Sequence, residues 1–177
     1  MFVLVSTLGL FSASAQDAES GILFKAIEKN NYEQVKNLLE TGSDPNVTDM
    51  LRNTPLHVAA FHGHDKIILL LAEYDADLNA LNKAQQTPLY SALHADQLLA
   101  VNALVESGAN LSAKFTSERM TILHFAAKEK RYDITEKLLE AGADPKIKDR
   151  NGKKPIDYAK SNKDKGMASL LKDKRWK

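Results

Sequence analysis

The sequence predicts an all-α solenoid, built from pairs of antiparallel helices joined by hairpin-like loops. Three observations carry that prediction. First, one motif returns at nearly constant spacing: Thr54-Pro55-Leu56-His57-Val58-Ala59-Ala60, then Thr87-Pro88-Leu89-Tyr90-Ser91-Ala92-Leu93, then Thr121-Ile122-Leu123-His124-Phe125-Ala126-Ala127. A degenerate copy opens at Lys154-Pro155-Ile156-Asp157, and the steps are 33, 34 and 33 residues. Second, another block keeps the same phase: Leu38-Leu39-Glu40-Thr41-Gly42, Leu104-Val105-Glu106-Ser107-Gly108 and Leu138-Leu139-Glu140-Ala141-Gly142. Third, all 5 prolines fall at positions such a repeat explains. A constant period of roughly 20–50 residues marks stacked supersecondary units, each burying its apolar face only against its neighbours.

The phase divides the chain into an N-terminal cap at about 17–48, full repeats at 49–81, 82–115 and 116–148, and a C-terminal cap at 149–177. In each full repeat a threonine supplies an N-cap oxygen for the first helix. Pro55, Pro88 and Pro155 follow at the first helical position, where a missing N–H costs nothing. Leu56, Ala59 and Ala60 make a narrow apolar stripe with small residues, so a neighbouring helix can approach closely. Ile67, Ile68, Leu70 and Leu71 then give the apolar face of the second helix. Gly42, Gly108 and Gly142 fall where that helix ends, as left-handed caps, and Pro45 and Pro145 sit in the loop beyond. The caps depart from this plan: Gly21-Ile22-Leu23-Phe24 replaces the threonine-proline start, and Lys163, Asp164 and Lys165 interrupt the last helix pair.

The doubled motif resembles the ankyrin-repeat family from about Gly21 to Leu171. That resemblance implies a non-catalytic scaffold whose hairpin tips and first-helix faces bind other proteins. Against it, Asp75 stands at the C-cap glycine position and Lys130 at the inter-helix turn position held by Gly63. Each is expected at positive φ, at a cost on the order of 1 kcal/mol. The extra residue near Lys114 and Phe115 is expected to bulge a loop and leave the helices intact.

Composition narrows the chemistry. With 0 cysteines there is no disulfide scaffold, thiol nucleophile or cysteine-held metal. The net charge of +1 is no nucleic-acid signature. No apolar run reaches the roughly 18–20 residues of a membrane-spanning helix. Residues 1–15 read as a signal peptide: the apolar run Met1–Phe11 ends in Ser12-Ala13-Ser14-Ala15, with cleavage expected before Gln16. No Lys or Arg precedes that run. Export to the periplasm or beyond is the resulting expectation.

Five histidines raise a metal hypothesis. The resemblance makes His57 and His124 structural hydrogen-bonding residues and His64 part of the inter-helix turn. His62 and His94 remain, without a carboxylate cluster at ligand spacing. There is no H-E-x-x-H, G-x-S-x-G, P-loop or G-x-G-x-x-G. Neither catalysis nor a cofactor or metal is expected. Asn46, in the sequon Asn46-Val47-Thr48, occupies a loop position expected to bond within its own loop.

What remains is a binding face. Carried over position by position, the resemblance places Met50, Leu51, Asn53, Phe61 and His62 on the concave surface from the first full repeat. Leu81, Lys83, Gln86 and His94 follow from the second. Ser117, Glu118, Met120, Lys128 and Glu129 come from the third, and Arg150, Asn151 and Lys153 from the cap. Met50, Leu51, Phe61, Leu81 and Met120 are large apolar residues there, the expected anatomy of a protein interface.

Charge is segregated along the chain. Residues 1–113 carry 6 Lys and Arg against 13 Asp and Glu, and residues 114–177 carry 18 against 10. In a solenoid these become an acidic and a basic end, a field that steers a complementary partner. The sequence therefore reads as an exported monomer that binds a dedicated partner protein, inhibiting or protecting it. Two alternatives stay open: an envelope factor resting Lys172, Lys174, Arg175, Trp176 and Lys177 on anionic lipid, and a host-directed effector.

Overall fold

The computed structural model describes residues 20–115 and 117–176. The expected signal peptide, residues 1–15, lies outside the described residues, as does Lys177. The described residues form ten α-helices and a terminal 3₁₀ turn: α1 (20–28), α2 (Tyr32–Glu40), α3 (Pro55–His62), α4 (Asp65–Glu73), α5 (Pro88–His94), α6 (Leu98–Glu106), α7 (Ile122–Lys128), α8 (Tyr132–Glu140), α9 (Pro155–Ser161), α10 (Lys165–Leu170) and the turn Lys174–Trp176. Inner helices α3, α5, α7 and α9 pack side by side, and outer helices α2, α4, α6 and α8 form a second layer behind them. The all-α solenoid is the fold the periodicity predicts.

Local chemistry sets each start and stop. Thr54 and Thr87 accept the backbone N–H groups of His57 and Tyr90 at helix N-termini. Gly42, Gly108 and Gly142 sit at φ 100°, 94° and 88° after the outer helices, a region open to glycine at little steric cost. Asp75 and Lys130 take φ 60° and 58°, as expected of residues standing in for glycine. Gly63 answers to space as well, since a Cβ there would meet the Gln97 side chain at 2.4 Å.

The core is one continuous stack. Leu56, Ala59 and Ala60 of α3 and Ile67, Ile68 and Leu71 of α4 are fully buried, and the pattern repeats through Leu93, Leu104, Leu123, Ala126 and Leu138. His57 and His124 tie successive units together. The Nδ1 of His57 accepts from the Thr54 N–H at 3.2 Å, and its Nε2–H donates to the Gln86 carbonyl at 3.0 Å. The same pair of bonds runs from His124 to Thr121 N–H (3.1 Å) and to the Lys153 carbonyl (3.0 Å). An Nδ1 that accepts from an N–H must be unprotonated. Burial, the main cause, lowers the pKa of both rings below the usual histidine value, partly offset by those carbonyls.

Asn46 behaves differently from expectation. Its side chain reaches into the next repeat, donating to the Asp75 carbonyl (3.1 Å) and accepting from the Asp77 N–H (2.7 Å). Asn79 repeats the bond to the Asn110 N–H at 2.8 Å. These asparagines are inter-repeat staples, so the loop they sit in gains its order from its neighbour.

At the far end the chain closes its own core. The Trp176 ring packs on the hydrophobic cluster and its Nε1–H donates to the Leu170 carbonyl at 3.0 Å. The Arg175 guanidinium lies 4.8 Å from that ring and pairs with Asp173 (2.9 Å) and Glu136 (3.9 Å).

Candidate functional site

The hairpin tips are built by side chains that imitate backbone. Asp49 Oδ1 accepts from the N–H groups of Leu51 (2.8 Å) and Asn53 (2.7 Å). Asn82 does so for Ala84 and Gln86, and Asp149 for Asn151 and Lys153. Such Asx turns fix a tight four-residue tip. Neighbouring tips are then joined through backbone, Lys83 N–H to the Leu51 carbonyl (2.9 Å) and Arg150 N–H to the Glu118 carbonyl (2.7 Å). With its ends tied inward, each tip presents its middle residues to solvent.

Met50 is 89% exposed, Leu51 61%, Phe61 50% and Leu81 42%. These open apolar side chains stand at the first tip, just before the second tip and in the last turn of α3. His62, Lys83, His94, Lys128 and Arg150 are also exposed, with Asn53 and Gln86 half-buried. A groove of about 300 Å³ runs between α3, α5 and their tips, lined by Asn53, His57, Phe61, His62, Gln86, Tyr90 and His94, with Glu28 at its margin. Its rings are ordered. Phe61 meets His62 edge-on at 5.4 Å, His62 stacks on His64 at 5.6 Å, and His94 stacks on Tyr90 at 5.8 Å.

Met120 does not belong to this face. It is 2% exposed, and the cause is the one extra residue in the 34-residue repeat. Where the other tips begin with Asp49, Asn82 and Asp149, this one begins with Phe115, which has no side-chain acceptor. The tip closes one residue later, through paired backbone bonds between Phe115 and Met120 (3.0 and 3.1 Å). The Phe115 ring, 3% exposed, turns inward against Tyr90 (5.3 Å) and Phe125 (5.3 Å). Tyr90 in turn stands where His57 and His124 stand in their repeats, and meets Phe125 at 5.0 Å. An aromatic wedge thus replaces the histidine bond and the Asx turn at a single seam. Contacts between α5 and α7 are sparser than those of α3 with α5 or of α7 with α9.

Sequence reasoning missed this wedge, though its signals were present: a non-Asx residue at 115, tyrosine for histidine at 90, and the longer step. It also missed Arg119, which with Lys114, Arg150 and Asp149 lines a recess of about 410 Å³ between the last two tips. Burial opposes charge on Asp149, but bonds from Tyr158 O–H (2.5 Å), Lys153 N–H and Asn151 N–H hold its pKa below the usual carboxylate value. Burial, then the same bond, pushes the Tyr158 hydroxyl up to about 12. Asp149 is therefore a fixed turn-builder, and the cations around it are left facing solvent.

Among the described residues no helix is long and apolar enough to cross a membrane, and no three His, Asp or Glu side chains converge at metal-binding distance. The basic tail is partly spoken for by Arg175 and Trp176, which pack the end of the solenoid.

Comparison with known proteins matches this architecture. The family model of ankyrin repeats in three copies covers residues 23–115, and a second model of ankyrin repeats in many copies covers residues 104–159. The mitochondrial disaggregase of Bos taurus is 30% identical over 152 residues, 84% of this chain and 22% of that protein. A B-cell lymphoma 3 protein homolog of Mus musculus is 30% identical over 143 residues, 78% of this chain and 32% of its own length. The nuclear factor NF-kappa-B p105 subunit of Gallus gallus is 28% identical over 155 residues, 85% of this chain and 16% of its length. The chain thus spans less than a third of each of these relatives. Two family models across residues 23–159, on a stack of inner and outer helices with hairpin tips, place this chain in the ankyrin-repeat family.

Proposed function

We propose that this chain is an exported, non-catalytic interaction module that binds one dedicated partner protein through its hairpin tips and inner-helix face. The observation that supports the reading is the exposure of Met50, Leu51 and Leu81 at and near the first two tips, with the exposed Phe61 lining a groove together with His62, Tyr90 and His94. Met50 and Leu51 are the residues of one tip that hold large apolar side chains open to water, as a contact surface requires; Ile22, Leu69, Leu99 and Tyr132 are exposed on α1, α4, α6 and α8. Ankyrin repeats are in general protein–protein interaction modules, and variation of tip and inner-helix residues on a constant core is how one scaffold meets many partners. The periplasm as the compartment rests on the apolar run and small-residue exit of residues 1–15. Inhibition or protection of that partner is the role proposed for it.

A pull-down with C-terminally tagged chain, at low and at high salt, tests the proposal. A stoichiometric protein partner that survives high salt, and is lost from the Phe61→Ala/His62→Ala variant, is the expected result. Recovery of anionic lipid alone, only at low salt, contradicts it. Intact-mass analysis of the bait tests export separately: a mass that retains residues 1–15 moves the protein to the cytosol.

A further inference from the structure

The row of hairpin tips is chemically polarised, and this goes beyond the presence of an apolar patch. At its N-terminal end the exposed residues include the apolar Met50, Leu51 and Leu81, with the cation Arg52 beside Leu51. From Lys83 onward no large apolar side chain is exposed at the described tips, and Arg119, Arg150 and Lys153 are exposed cations. Of the acidic residues in these tips, Asp49 and Asp149 point inward at backbone N–H groups, and Glu118 is exposed next to Arg119. Among the described residues Lys83, Arg119 and Arg150 are held in no ion pair. Lys114, Arg119 and Arg150 outnumber Asp149 around a recess of about 410 Å³, and a cationic recess two repeats along from exposed apolar anchors is complementary to a ligand with both characters.

Resting on the protein-binding reading above, we infer that the tips recognise an extended segment of the partner in which apolar residues are followed by a cluster of Asp and Glu. Successive helices pack roughly 8–10 Å apart, so the two steps from Leu81 to Arg150 span about 20 Å. An extended chain covers that in about six residues at roughly 3.3 Å each. The apolar anchor then sits over Leu51 and Leu81 while the carboxylates reach Arg119 and Arg150. Nucleic acid fits less well, because phosphates make no use of Met50, Leu51 and Leu81. A bilayer fits less well, because both the groove and the basic recess are concave and a flat lipid surface cannot enter them.

The test is selection of a random dodecapeptide display library on the full chain, followed by fluorescence anisotropy of the enriched peptides. Enriched sequences are expected to pair an apolar residue with two or more acidic residues about six positions away. The Arg119→Glu/Arg150→Glu variant, with an unchanged circular dichroism spectrum and melting temperature, is expected to bind them at least about tenfold more weakly. Tail variant Lys172→Glu is expected to bind them as the parent does. Enriched peptides that lack acidic residues, or that bind the reversal variant equally well, overturn the inference. If those peptides still require Phe61 and His62, the protein-binding reading stands without it. No enrichment of any peptide, or tighter binding to phosphatidylglycerol vesicles or single-stranded RNA, overturns both.

Discussion

Replacing Phe115 with alanine tests whether the aromatic wedge holds the two halves of the solenoid together. The ring is 3% exposed and 5.3 Å from both Tyr90 and Phe125. Truncating a buried phenylalanine costs about 3–5 kcal/mol, of which the two ring contacts supply about 1–3 kcal/mol at roughly 0.5–1.5 each. Because Phe115 lies at a tip, near the edge of the core, the lower figure of about 3 kcal/mol is expected. With a urea slope of about 2 kcal/mol/M, the midpoint falls by about 1.5 M. The consequence is also spatial. In a linear array a weakened interface uncouples the units on either side, and the C-terminal side, one full repeat and a cap, is the smaller. Trp176 is the only tryptophan and reports that side alone, whereas far-UV circular dichroism reports all helices. The fluorescence transition is therefore expected to precede the dichroism transition in Phe115→Ala. A loss below about 1 kcal/mol with coincident transitions refutes the wedge.

Other outcomes follow from named contacts. His57 and His124 have folded-state pKa values below the ordinary histidine value, so their unfolded forms take up protons first. Stability is then complete above about pH 6.5 and lost as pH falls below it; thermal melts from pH 7.5 to pH 5 of parent and His57→Gln/His124→Gln chains check this, the double variant showing the smaller loss. Lys130→Gly relieves a φ of 58° and is expected to raise stability by up to about 1 kcal/mol, read as a higher urea midpoint. Trp176→Ala removes the ring that closes the last repeat and is expected to cost about 2 kcal/mol, with hydrogen exchange accelerated in α9 and α10 and unchanged in α3 and α4.

How far the sequence carried depends on whether a residue's role is set by its own unit. Helix starts at Thr54 and Thr87, caps at Gly42, Gly108 and Gly142, and the strained Asp75 and Lys130 were legible because local backbone chemistry decides them. So was the exposure of Met50, Leu51, Phe61 and Leu81, which follows from position within the repeat. Met120 was misplaced because its position was read from that same frame. The inserted residue moved the tip closure to Met120 itself, and the ring of Phe115 took the place of an Asx turn. Asn46 was likewise read within its own loop, whereas its partners Asp75 and Asp77 lie one repeat away. Both misreadings concern contacts between units, which a periodic pattern averages over. Arg119 was overlooked for a related reason: its importance comes from Lys114 and Arg150 across the recess.

If the tips and inner helices are the binding face, a bound partner must protect their backbone from exchange. Hydrogen exchange of the full chain, alone and saturated with the partner captured at high salt, tests this most directly. Slowed exchange at the tips, residues 49–53, 81–86, 117–120 and 149–153, and in the inner helices α3 and α5 is the predicted result. Protection confined to the outer helices α4, α6 and α8, with the tips exchanging as freely as before, would contradict it.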